Sequence, residues 1–333
     1  MKRIALFSSK AFDKRYFAET NSRFGFDISY FESMLSSKTI QIAQGFDAVC
    51  AFVNDELDEH VIHSLKDFGV QIIGLRCAGF NNVDIEAAKG VLPVVRVPEY
   101  SPYAVAEYTV ALILTLNRKM HKAYNRTREN NFSIDGLLGF DMYGKIVGII
   151  GTGKIGRTLV PIIKGFGMRV LAYDPYPNEQ VAQELGFSYA DFDTVIRESN
   201  IITLNCPLNK DTFQIINSDA INKMKDNVMI INTSRGKVID TKALVEGLKS
   251  GKIGAAGLDV YEEESQFFFQ DKSSELIDDD LLERLLTFHN VVLTSHLGFF
   301  TEEAIRNIAE TTLNNFKLFF ENGKTPNLVE LTG

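Results

Sequence analysis

The sequence predicts an α/β protein of two domains, each built on a parallel sheet covered by helices. Short apolar runs with the length of buried strands alternate with helical segments along the chain. At 333 residues the chain exceeds what one hydrophobic core comfortably serves, which favours two domains. Pro98 and Pro102 then punctuate a boundary between two successive α/β segments.

The first segment is predicted to contain four strands with helices between them. Its strands follow from short apolar runs at Ile4–Ser8, Asp47–Val53, Val70–Cys77 and Val94–Val97. A helix is expected over Asp55–Phe68, with Asn54 as its N-cap and Gly69 closing it. Shorter helical stretches are expected at Thr39–Gln44 and Val83–Lys89.

The second segment opens with a long helix, predicted over Pro102–Arg128 because apolar side chains recur there at spacings of three and four. Its strands are expected at Lys145–Ile150, Met168–Tyr173, Ile201–Asn205, Val228–Asn232, Ala255–Val260 and Val291–Ser295. Helices such as Ser218–Lys225 and Thr241–Lys249 are interleaved with these strands. In one long connection we interpret Phe267–Phe269 as a packed loop anchor and Asp278–Asp280 as a solvated helix start.

The last predicted element is a long amphipathic helix over Thr301–Glu321, with Phe316, Phe319 and Phe320 on or near one face. We expect this helix to leave the second domain and to pack on the first segment. The first domain is then discontinuous and comprises residues 1–100 with 299–333, while residues 101–298 form the second.

A glycine-rich turn between two strands is the most informative motif. The apolar run that ends at Ile150 leads into Gly151, Gly153 and Gly156, spaced G-x-G-x-x-G, and helix-forming residues follow. These glycines permit a tight turn, a close approach of a pyrophosphate and close helix packing, as in a Rossmann dinucleotide site. The next strand ends in Asp174, an acid that can accept hydrogen bonds from a ribose 2′-hydroxyl. The motif therefore predicts NAD rather than NADP.

Composition excludes several other classes of protein. A hydrophobic content of 45 %, a charged content of 23 % and a net charge of −8 suit a globular protein and argue against nucleic-acid binding. No apolar stretch approaches the roughly 18 residues that cross a bilayer, so no membrane association is expected. Three widely spaced cysteines, Cys50, Cys77 and Cys206, are expected to stay reduced, which fits a cytoplasmic protein. No ligand spacing predicts a metal site.

Three predicted strands of the second domain end in residues that can carry chemistry. They lead into Arg235 beside Gly236, into the acidic run that follows Asp259, and into His296. Ligands of open α/β sheets bind beyond the carboxyl ends of strands, so these side chains are expected near one crevice. Arginine suits a carboxylate, and histidine suits proton transfer near neutral pH. The other histidines are interpreted as surface or packing residues: His60, His63, His121 and His289.

These segments together resemble the D-isomer-specific 2-hydroxyacid dehydrogenases. The resemblance rests on the glycine motif with Asp174, on I-N-T-S-R-G-K-V-I-D around Arg235, on G-L-D-V-Y-E-E-E ending at Glu264 and on T-S-H-L-G-F-F-T-E-E around His296. It extends over essentially the whole chain. Softer features, among them F-F-F-Q-D-K-S from Phe267, are similar to the fermentative D-lactate dehydrogenases within that family. The resemblance implies a Rossmann NAD-binding domain and a flavodoxin-like substrate domain formed by both chain ends.

The family resemblance also implies roles for individual catalytic residues. Arg235 would bind the substrate carboxylate and help to polarise the keto oxygen, and His296 would be the general acid and base. Glu264 would pair with His296 and keep it protonated. Glu262 competes for that role from the residues alone, but the resemblance aligns Glu264 with the functional acid. Glu263 is expected to be a solvated charge.

Cofactor and substrate contacts follow from the same resemblance. The cofactor residues are expected to be Gly151, Thr152, Gly153, Lys154, Ile155, Gly156, Asp174, Cys206, Pro207, Thr212, Thr233, Ser234, Arg235 and Asp259, of which Asp259 would support the site from close by. The substrate residues are expected to be Ala78, Gly79, Tyr100, Arg235, His296 and Phe299. Ala78 and Gly79 would receive the carboxylate through their backbone, and Tyr100 and Phe299 would shape the pocket.

The expected reaction is the reversible reduction of pyruvate to D-lactate by NADH. The alternatives are a reductase of hydroxypyruvate, glyoxylate, phosphoglycerate or a branched 2-keto acid, and a non-enzymatic NAD-sensing co-repressor on the same scaffold. The complete Arg/Glu/His set favours an enzyme. The resemblance implies a homodimer through the helix at Pro102–Arg128, and the sequence leaves open whether two dimers form a tetramer.

Overall fold

The computed structural model describes residues 1–329, so residues 330–333 of the predicted substrate domain lie outside the described part. The chain divides into two compact units. Unit 1 comprises Met1–Ser101 and the chain from Phe299 onward, and unit 2 comprises Pro102–Gly298.

Unit 1 is organised around a parallel sheet. The elements that Met1–Ser101 contributes are β1 (Arg3–Leu6), α1 (Ala11–Asn21), β2 (Asp27–Tyr30), β3 (Ala48–Ala51), α2 (Glu59–Asp67), β4 (Ile72–Leu75), α3 (Ile85–Ala88) and β5 (Val94–Val95). Within residues 1–329 this sheet has five strands in the order β2-β1-β3-β4-β5. Because all are parallel, the loops after β1, β3 and β4 meet at one edge of the sheet.

Unit 2 is a doubly wound sheet with helices on both faces. Its elements are α4 (Pro102–Arg118), α5 (Met120–Arg128), β6 (Ile146–Ile150), α6 (Lys154–Gly165), β7 (Arg169–Tyr173), α7 (Glu179–Leu185), β8 (Ser188–Tyr189), α8 (Phe192–Glu198), β9 (Ile201–Leu204), α9 (Ser218–Lys223), β10 (Val228–Asn232), α10 (Thr241–Ser250), β11 (Ile253–Leu258), α11 (Asp280–Thr287) and β12 (Val291–Leu293). Among the described residues the strand order is β12-β11-β10-β9-β6-β7-β8. The order reverses between β6 and β9, which is the topological switch point at which nucleotides bind. The predicted α/β fold class is confirmed.

The last helix, α12 (Glu302–Asn322), returns to unit 1 as the sequence predicts. Leu313 and Phe316 are fully buried in a cluster with Ile4 on β1 and with Ile72 on β4. A β-carbon at Gly74 would lie 2.4 Å from Cζ of Phe316, so this glycine lets the aromatic ring pack directly on the sheet. Both ends of the chain therefore build one hydrophobic core.

The predicted start of α2 is wrong. The helix begins at Glu59, and its N-cap is Asp58, whose carboxylate accepts a 2.8 Å hydrogen bond from the backbone nitrogen of Val61. Asp55 does not enter the helix because its buried carboxylate holds surrounding loops together. It accepts hydrogen bonds from Oγ of Ser8 at 2.6 Å and from the backbone nitrogens of Leu35 at 2.7 Å and Phe52 at 2.6 Å.

The long helix predicted over Pro102–Arg128 is interrupted. Lys119 has a left-handed backbone with φ of 49°, which separates α4 from α5. Just before the break, Asn117 donates to the carbonyl of Phe140 and accepts from its backbone nitrogen, both at 2.8 Å. This pairing ties the end of α4 to a later loop, whereas α5 buries none of its residues.

Sequence periodicity does not indicate α1, β2, α7, β8 or α8. Helix α1 buries the polar Asp13 and Thr20 beside Tyr16 and Phe17, so its inward face is not apolar throughout. Strands β2 and β8 are short edge strands and carry too few residues for an alternating pattern. No helix in residues 1–329 combines the length and apolar character that crossing a bilayer requires.

Candidate active site

The glycine-rich turn lies directly after β6 in unit 2. Gly151 has φ of 93°, a conformation that favours glycine, and a β-carbon there would lie 2.8 Å from backbone atoms of Asn205 and Cys206. A β-carbon at Gly156 would lie 2.2 Å from the carbonyl oxygen of Gly151. Both positions exclude a side chain, because the turn is packed against the end of β9, its neighbour in the sheet, on one side and against its own helix on the other.

Helix α6 begins immediately after this turn. Gly153 is its N-cap, and Lys154 and Ile155 form the start of its first turn. The first backbone N–H groups of a helix have no partner within the helix, and the helix dipole makes this end positive. A β-carbon at Gly153 would meet no atom within 4 Å, so the backbone is open to close approach by a ligand. The arrangement is suited to a pyrophosphate.

Asp174 follows β7 and is held against the glycine turn. Its Oδ2 accepts hydrogen bonds from the backbone nitrogen of Thr152 at 2.7 Å and from Oγ1 of Thr152 at 2.9 Å. Its Oδ1 accepts one from the backbone nitrogen of Tyr176 at 2.9 Å. The hydroxyl of Tyr189 lies 2.8 Å from Oγ1 of Thr152. Sequence reasoning missed Tyr189, since the strand that carries it is too short to predict.

The Cys206–Pro207 pair follows β9. Cys206 is buried, and burial raises the pKa of its thiol to about 11, so the group behaves as a small apolar side chain. Thr212 closes the following loop, because its Oγ1 donates to the carbonyl of Pro207 at 2.6 Å.

The end of β10 is built from a series of short polar contacts. The side-chain oxygen of Asn232 accepts from the backbone nitrogen and Oγ of Ser234, and its amide donates to the carbonyl of Arg235 at 2.9 Å. Oγ1 of Thr233 lies 2.9 Å from Oγ1 of Thr109, which donates to the carbonyl of Val105. Each residue around Arg235 is therefore held by a neighbour.

Arg235 lies between this strand end and the end of β11. Its Nη1 donates to the carbonyl of Ser234 at 2.7 Å. The next residue, Gly236, begins a 3₁₀ turn, and a β-carbon there would lie 2.1 Å from the carbonyl of Tyr261. Glycine thus allows the loops that carry Arg235 and the acidic run after Asp259 to pack together.

His296 and Glu264 form a close pair. Nδ1 of His296 lies 3.0 Å from Oε1 of Glu264, and each side chain is about four-fifths buried, with exposures of 20 % and 23 %. His296 has a left-handed backbone with φ of 57°. Oε2 of Glu264 accepts from the backbone nitrogen of Tyr261 at 3.1 Å, which fixes the carboxylate.

The other acids of the run have different partners. Glu262 accepts a hydrogen bond from Oγ1 of Thr241 at 2.7 Å, and Glu263 lies 3.3 Å from Nζ of Lys237 in an exposed ion pair. Only Glu264, of these three, lies beside His296. The resemblance pointed to the same residue, whereas the residue pattern alone left Glu262 as a rival.

Asp259 braces the loop that carries His296. It is 1 % exposed, and burial raises the pKa of its carboxyl above the usual value, although three hydrogen-bond donors oppose the shift. Oδ1 accepts from Oγ1 of Thr294 and from the backbone nitrogen of Leu297, and Oδ2 accepts from that of Gly298, all at 2.7 Å. The backbone carbonyl of Asp259 also accepts from the nitrogen of His296 at 2.7 Å.

Phe269 is a neighbour of His296 that sequence reasoning missed. The two ring centroids are 6.2 Å apart, and Phe269 has a left-handed φ of 64°. Phe268 is buried in the main core of unit 2, which confirms the interpretation of Phe267–Phe269 as a packed anchor. Asp279 caps α11 by accepting from Leu281 and Leu282, so the predicted helix start is also confirmed.

Four of the expected substrate residues belong to unit 1. The carbonyl of Ala78 accepts from Nη1 of Arg96 at 2.8 Å, and that of Gly79 accepts from the thiol of Cys77 at 3.2 Å. Both residues are in the loop after β4. The rings of Tyr100 and Phe299 lie edge to face, with centroids 6.2 Å apart. Within residues 1–329, no group of three His, Cys, Asp or Glu residues is placed to hold a metal ion.

Comparison with known proteins identifies what the chain resembles. Residues 110–298 match the sequence model for the NAD binding domain of D-isomer specific 2-hydroxyacid dehydrogenases. The chain is 52 % identical to a 2-hydroxyacid dehydrogenase homolog of Haemophilus influenzae over 314 residues, which cover 94 % of this chain and 95 % of that protein. It is 50 % identical to the D-lactate dehydrogenase of Escherichia coli over 326 residues, covering 98 % and 99 %.

The solved structures agree with the sequence comparisons. The apo-structure of D-lactate dehydrogenase from Escherichia coli matches with a TM-score of 0.90 and 49 % identity. The match covers 98 % of this chain and 99 % of that one. Both units therefore have counterparts in an enzyme of known fold.

Proposed function

The chain belongs to the D-isomer-specific 2-hydroxyacid dehydrogenases, NAD-dependent oxidoreductases, and on that premise we propose that it interconverts pyruvate and D-lactate. The observation that carries the proposal is the pair of His296 and Glu264, held at the same sheet edge as Arg235 and the glycine turn. A proton donor, a carboxylate receptor and a dinucleotide site are the protein groups that this reaction requires.

Arg235 binds the substrate carboxylate in this proposal. A guanidinium presents a planar set of N–H donors that matches a carboxylate, and such charge-assisted bonds are stronger than neutral ones. Ser234 holds one donor of Arg235 at its carbonyl, which orients the side chain. The same cation helps to polarise the keto oxygen, because negative charge develops there as the carbonyl is reduced.

His296 supplies the proton. NADH, when bound, supplies the hydride that forms the new C–H bond at the keto carbon. The electron pair of the C=O π bond takes the proton of His296, which leaves a hydroxyl group and a neutral imidazole that solvent reprotonates. In the oxidation of lactate His296 takes the proton back. Glu264 accepts the Nδ1–H of the ring, which leaves the other ring nitrogen for the substrate.

The cofactor contacts are assigned to unit 2. The turn at Gly151–Gly156 and the first residues of α6 bind the pyrophosphate, and Asp174 binds the adenine-side ribose. Cys206, Pro207 and Thr212 line the adenine side. The Thr233–Ser234 strand end lies along the nicotinamide half.

Unit 1 recognises the substrate. The carbonyls of Ala78 and Gly79 accept hydrogen bonds from Arg96 and Cys77. The backbone N–H groups of the same loop donate to the carboxylate of the substrate. The edge-to-face pair of Tyr100 and Phe299 limits the size of the 2-keto acid. Two packed aromatic rings favour the methyl group of pyruvate over a longer or branched side chain.

The proposed reaction is tested with purified enzyme, NADH and a panel of 2-keto acids. The panel contains pyruvate, glyoxylate, hydroxypyruvate, phosphohydroxypyruvate and a branched 2-keto acid. We expect the highest kcat/KM with pyruvate and D-lactate as its product by chiral chromatography. A higher kcat/KM with another acid would reassign the substrate, L-lactate would refute the stereochemistry, and NADH binding without turnover would favour a sensing role.

The protein is proposed to act as a homodimer. Nearly half of the large apolar side chains that are strongly exposed within residues 1–329 lie between Tyr103 and Tyr143. Among them Phe132, Ile134 and Leu138 are 75 %, 82 % and 88 % exposed. A concentration of this kind on α4, α5 and the following loop marks an interaction surface, and a second copy buries it. Light scattering after size-exclusion chromatography measures the oligomeric state, and Leu138→Lys should shift the protein from dimer towards monomer.

We place the protein in the cytoplasm. Cys50, Cys77 and Cys206 are all buried and none is joined in a disulfide, which is typical of proteins in a reducing compartment. Cell fractionation with detection of the chain tests this assignment.

A further inference from the structure

We propose that Tyr189 is a positioning residue for NAD, which acts through Thr152 to orient the carboxylate of Asp174. The inference rests on the proposed ribose role of Asp174. The three side chains form one hydrogen-bonded relay, with 2.8 Å between Tyr189 and Thr152 and 2.9 Å between Thr152 and Asp174. The relay connects the edge of the sheet to the glycine turn.

The direction of the relay follows from the number of protons available. An ionised carboxylate only accepts hydrogen bonds, so the single hydroxyl proton of Thr152 is used in its bond to Asp174. The oxygen of Thr152 can then only accept from Tyr189. The phenol of Tyr189 is therefore the donor. It fixes the hydroxyl of Thr152, and that hydroxyl in turn fixes the carboxylate of Asp174 by donating to it.

Tyr189 is well placed to act as a fixed donor. Its strand, β8, pairs with β7, with Tyr189 opposite Ala172, two residues before Asp174. Its ring packs edge to face on Phe187 with centroids 5.1 Å apart. The phenol is thus held by the sheet and by an aromatic neighbour rather than by a mobile loop.

The environment of Thr152 makes Tyr189 hard to replace by solvent. Thr152 is 1 % exposed, so its hydroxyl is shielded from bulk water. Loss of the phenol would free the hydroxyl to rotate, and the bond to Oδ2 of Asp174 would no longer be locked. A buried hydroxyl without its donor also carries a desolvation cost.

The hydrogen bonds of Asp174 leave one acceptor site of its carboxylate for the ribose. Asp174 accepts two hydrogen bonds on Oδ2 and one on Oδ1, and a carboxylate offers about four acceptor sites. The remaining site is on Oδ1, where a ribose hydroxyl can donate. Tyr189 therefore sets the angle at which Asp174 receives the ribose.

The test is a double-mutant cycle on Tyr189→Phe and Thr152→Val, each close in shape to the residue replaced. The Kd for NADH is measured by fluorescence titration, with kcat and both KM values. We expect Tyr189→Phe to weaken NADH binding about 3–10-fold, the worth of one hydrogen bond, with pyruvate KM and kcat nearly unchanged. In the Thr152→Val background Tyr189→Phe should add nothing, because its effect passes through Thr152.

Two controls make the result specific. Tyr173→Phe removes a hydroxyl from the neighbouring strand, outside the relay, and should bind NADH like the wild type. With an NADH analogue that lacks the 2′-hydroxyl of the adenosine ribose, the penalty of Tyr189→Phe should disappear. That readout separates positioning of Asp174 from a general loss of packing.

Several outcomes would overturn the proposal. Additive effects in the cycle, an equal loss with the deoxy analogue, or a lower thermal midpoint with unchanged Kd would each make Tyr189 merely structural. Asp174→Ala, measured alongside, separates this failure from failure of the ribose assignment. If Asp174→Ala weakens NADH binding and Tyr189→Phe does not, the relay alone is refuted. If neither variant changes binding, the ribose role itself is wrong.

Discussion

The carboxylate of Asp259 accepts a 2.7 Å hydrogen bond from the backbone nitrogen of Gly298, and its other oxygen accepts one from Leu297. These bonds join the end of β11 to the loop after β12, which carries His296. A β-carbon at Gly298 would lie 2.9 Å from Oδ2 of Asp259, so the loop passes as close to the acid as glycine allows. The position of the imidazole thus depends on a residue that does not touch it through its side chain.

Asp259→Asn should lower kcat by about 10–100-fold, by analogy with the loss of a hydrogen-bond partner that orients a metal-bound side chain. The Asn side chain must turn its NH₂ group either to Leu297 or to Gly298, and two donors then face each other. NADH affinity should change far less than kcat, because the loop of His296 is what moves. Stopped-flow and steady-state kinetics give kcat, and fluorescence titration gives the Kd. An equal loss of kcat and of NADH affinity would place Asp259 in cofactor binding instead.

His296→Gln should reduce kcat for pyruvate by roughly 10²–10⁴-fold, the usual contribution of a positioned acid. Glutamine keeps a polar group near Glu264 but cannot deliver a proton. His289→Gln, in the same unit and exposed, is the matched control and should leave kcat unchanged. Near-normal turnover of His296→Gln would remove this residue from proton transfer.

Arg235→Lys should lower kcat/KM for pyruvate by about 10–100-fold, which corresponds to one charge-assisted hydrogen bond. An ammonium keeps the charge but cannot reproduce the planar pair of donors. Arg197→Lys, on helix α8, is the control for the chemical change. If pyruvate KM and kcat both stay within about twofold of the wild type, carboxylate binding belongs elsewhere.

Asp174→Ala should raise the kcat/KM with NADPH relative to NADH. The wild-type carboxylate accepts from a ribose hydroxyl and repels a 2′-phosphate, and alanine removes both effects. Initial rates with each dinucleotide at saturating pyruvate give the ratio. An unchanged ratio would contradict the ribose role of Asp174.

Asp13→Asn should destabilise the protein by about 3–5 kcal/mol, the cost of breaking a buried ion pair. Nε of Arg76 lies 3.1 Å from Oδ1 of Asp13, and the side chains are 2 % and 4 % exposed. Asparagine removes the carboxylate that contacts the guanidinium in the core of unit 1, and leaves Asp55 as the acid whose charge still acts on it. Urea unfolding followed by circular dichroism measures the change.

The control for this pair is an exposed one in the same unit. Nη1 of Arg306 lies 3.0 Å from Oε2 of Glu19, where both side chains are roughly half exposed. Glu19→Gln should leave the urea midpoint essentially unchanged, since solvent screens such pairs. Equal effects of the two variants would show that Asp13 and Arg76 are not held by their charges.

The sequence by itself determined the parts of this protein that depend on local patterns. The alternation of strands and helices, the G-x-G-x-x-G turn before α6 and the acid after β7 are all carried by neighbouring residues. Glycine at Gly151 and Gly156 is required by backbone geometry, which leaves a direct trace in the sequence. The strand-end positions of Arg235 and His296 follow from the same local signals.

Tertiary structure alone decided which side chains meet. Asp55 lies in a pattern typical of a helix start, but its carboxylate accepts hydrogen bonds from Ser8 and Leu35, which are 47 and 20 positions away along the chain, as well as from nearby Phe52. Tyr189 lies on a two-residue edge strand, and its contact with Thr152 spans 37 positions. Hydrogen bonds and packing between distant segments leave no regular pattern in the sequence, so they cannot be predicted from its periodicity. The relay behind Asp174 and the brace behind His296 exist only once the sheet has formed.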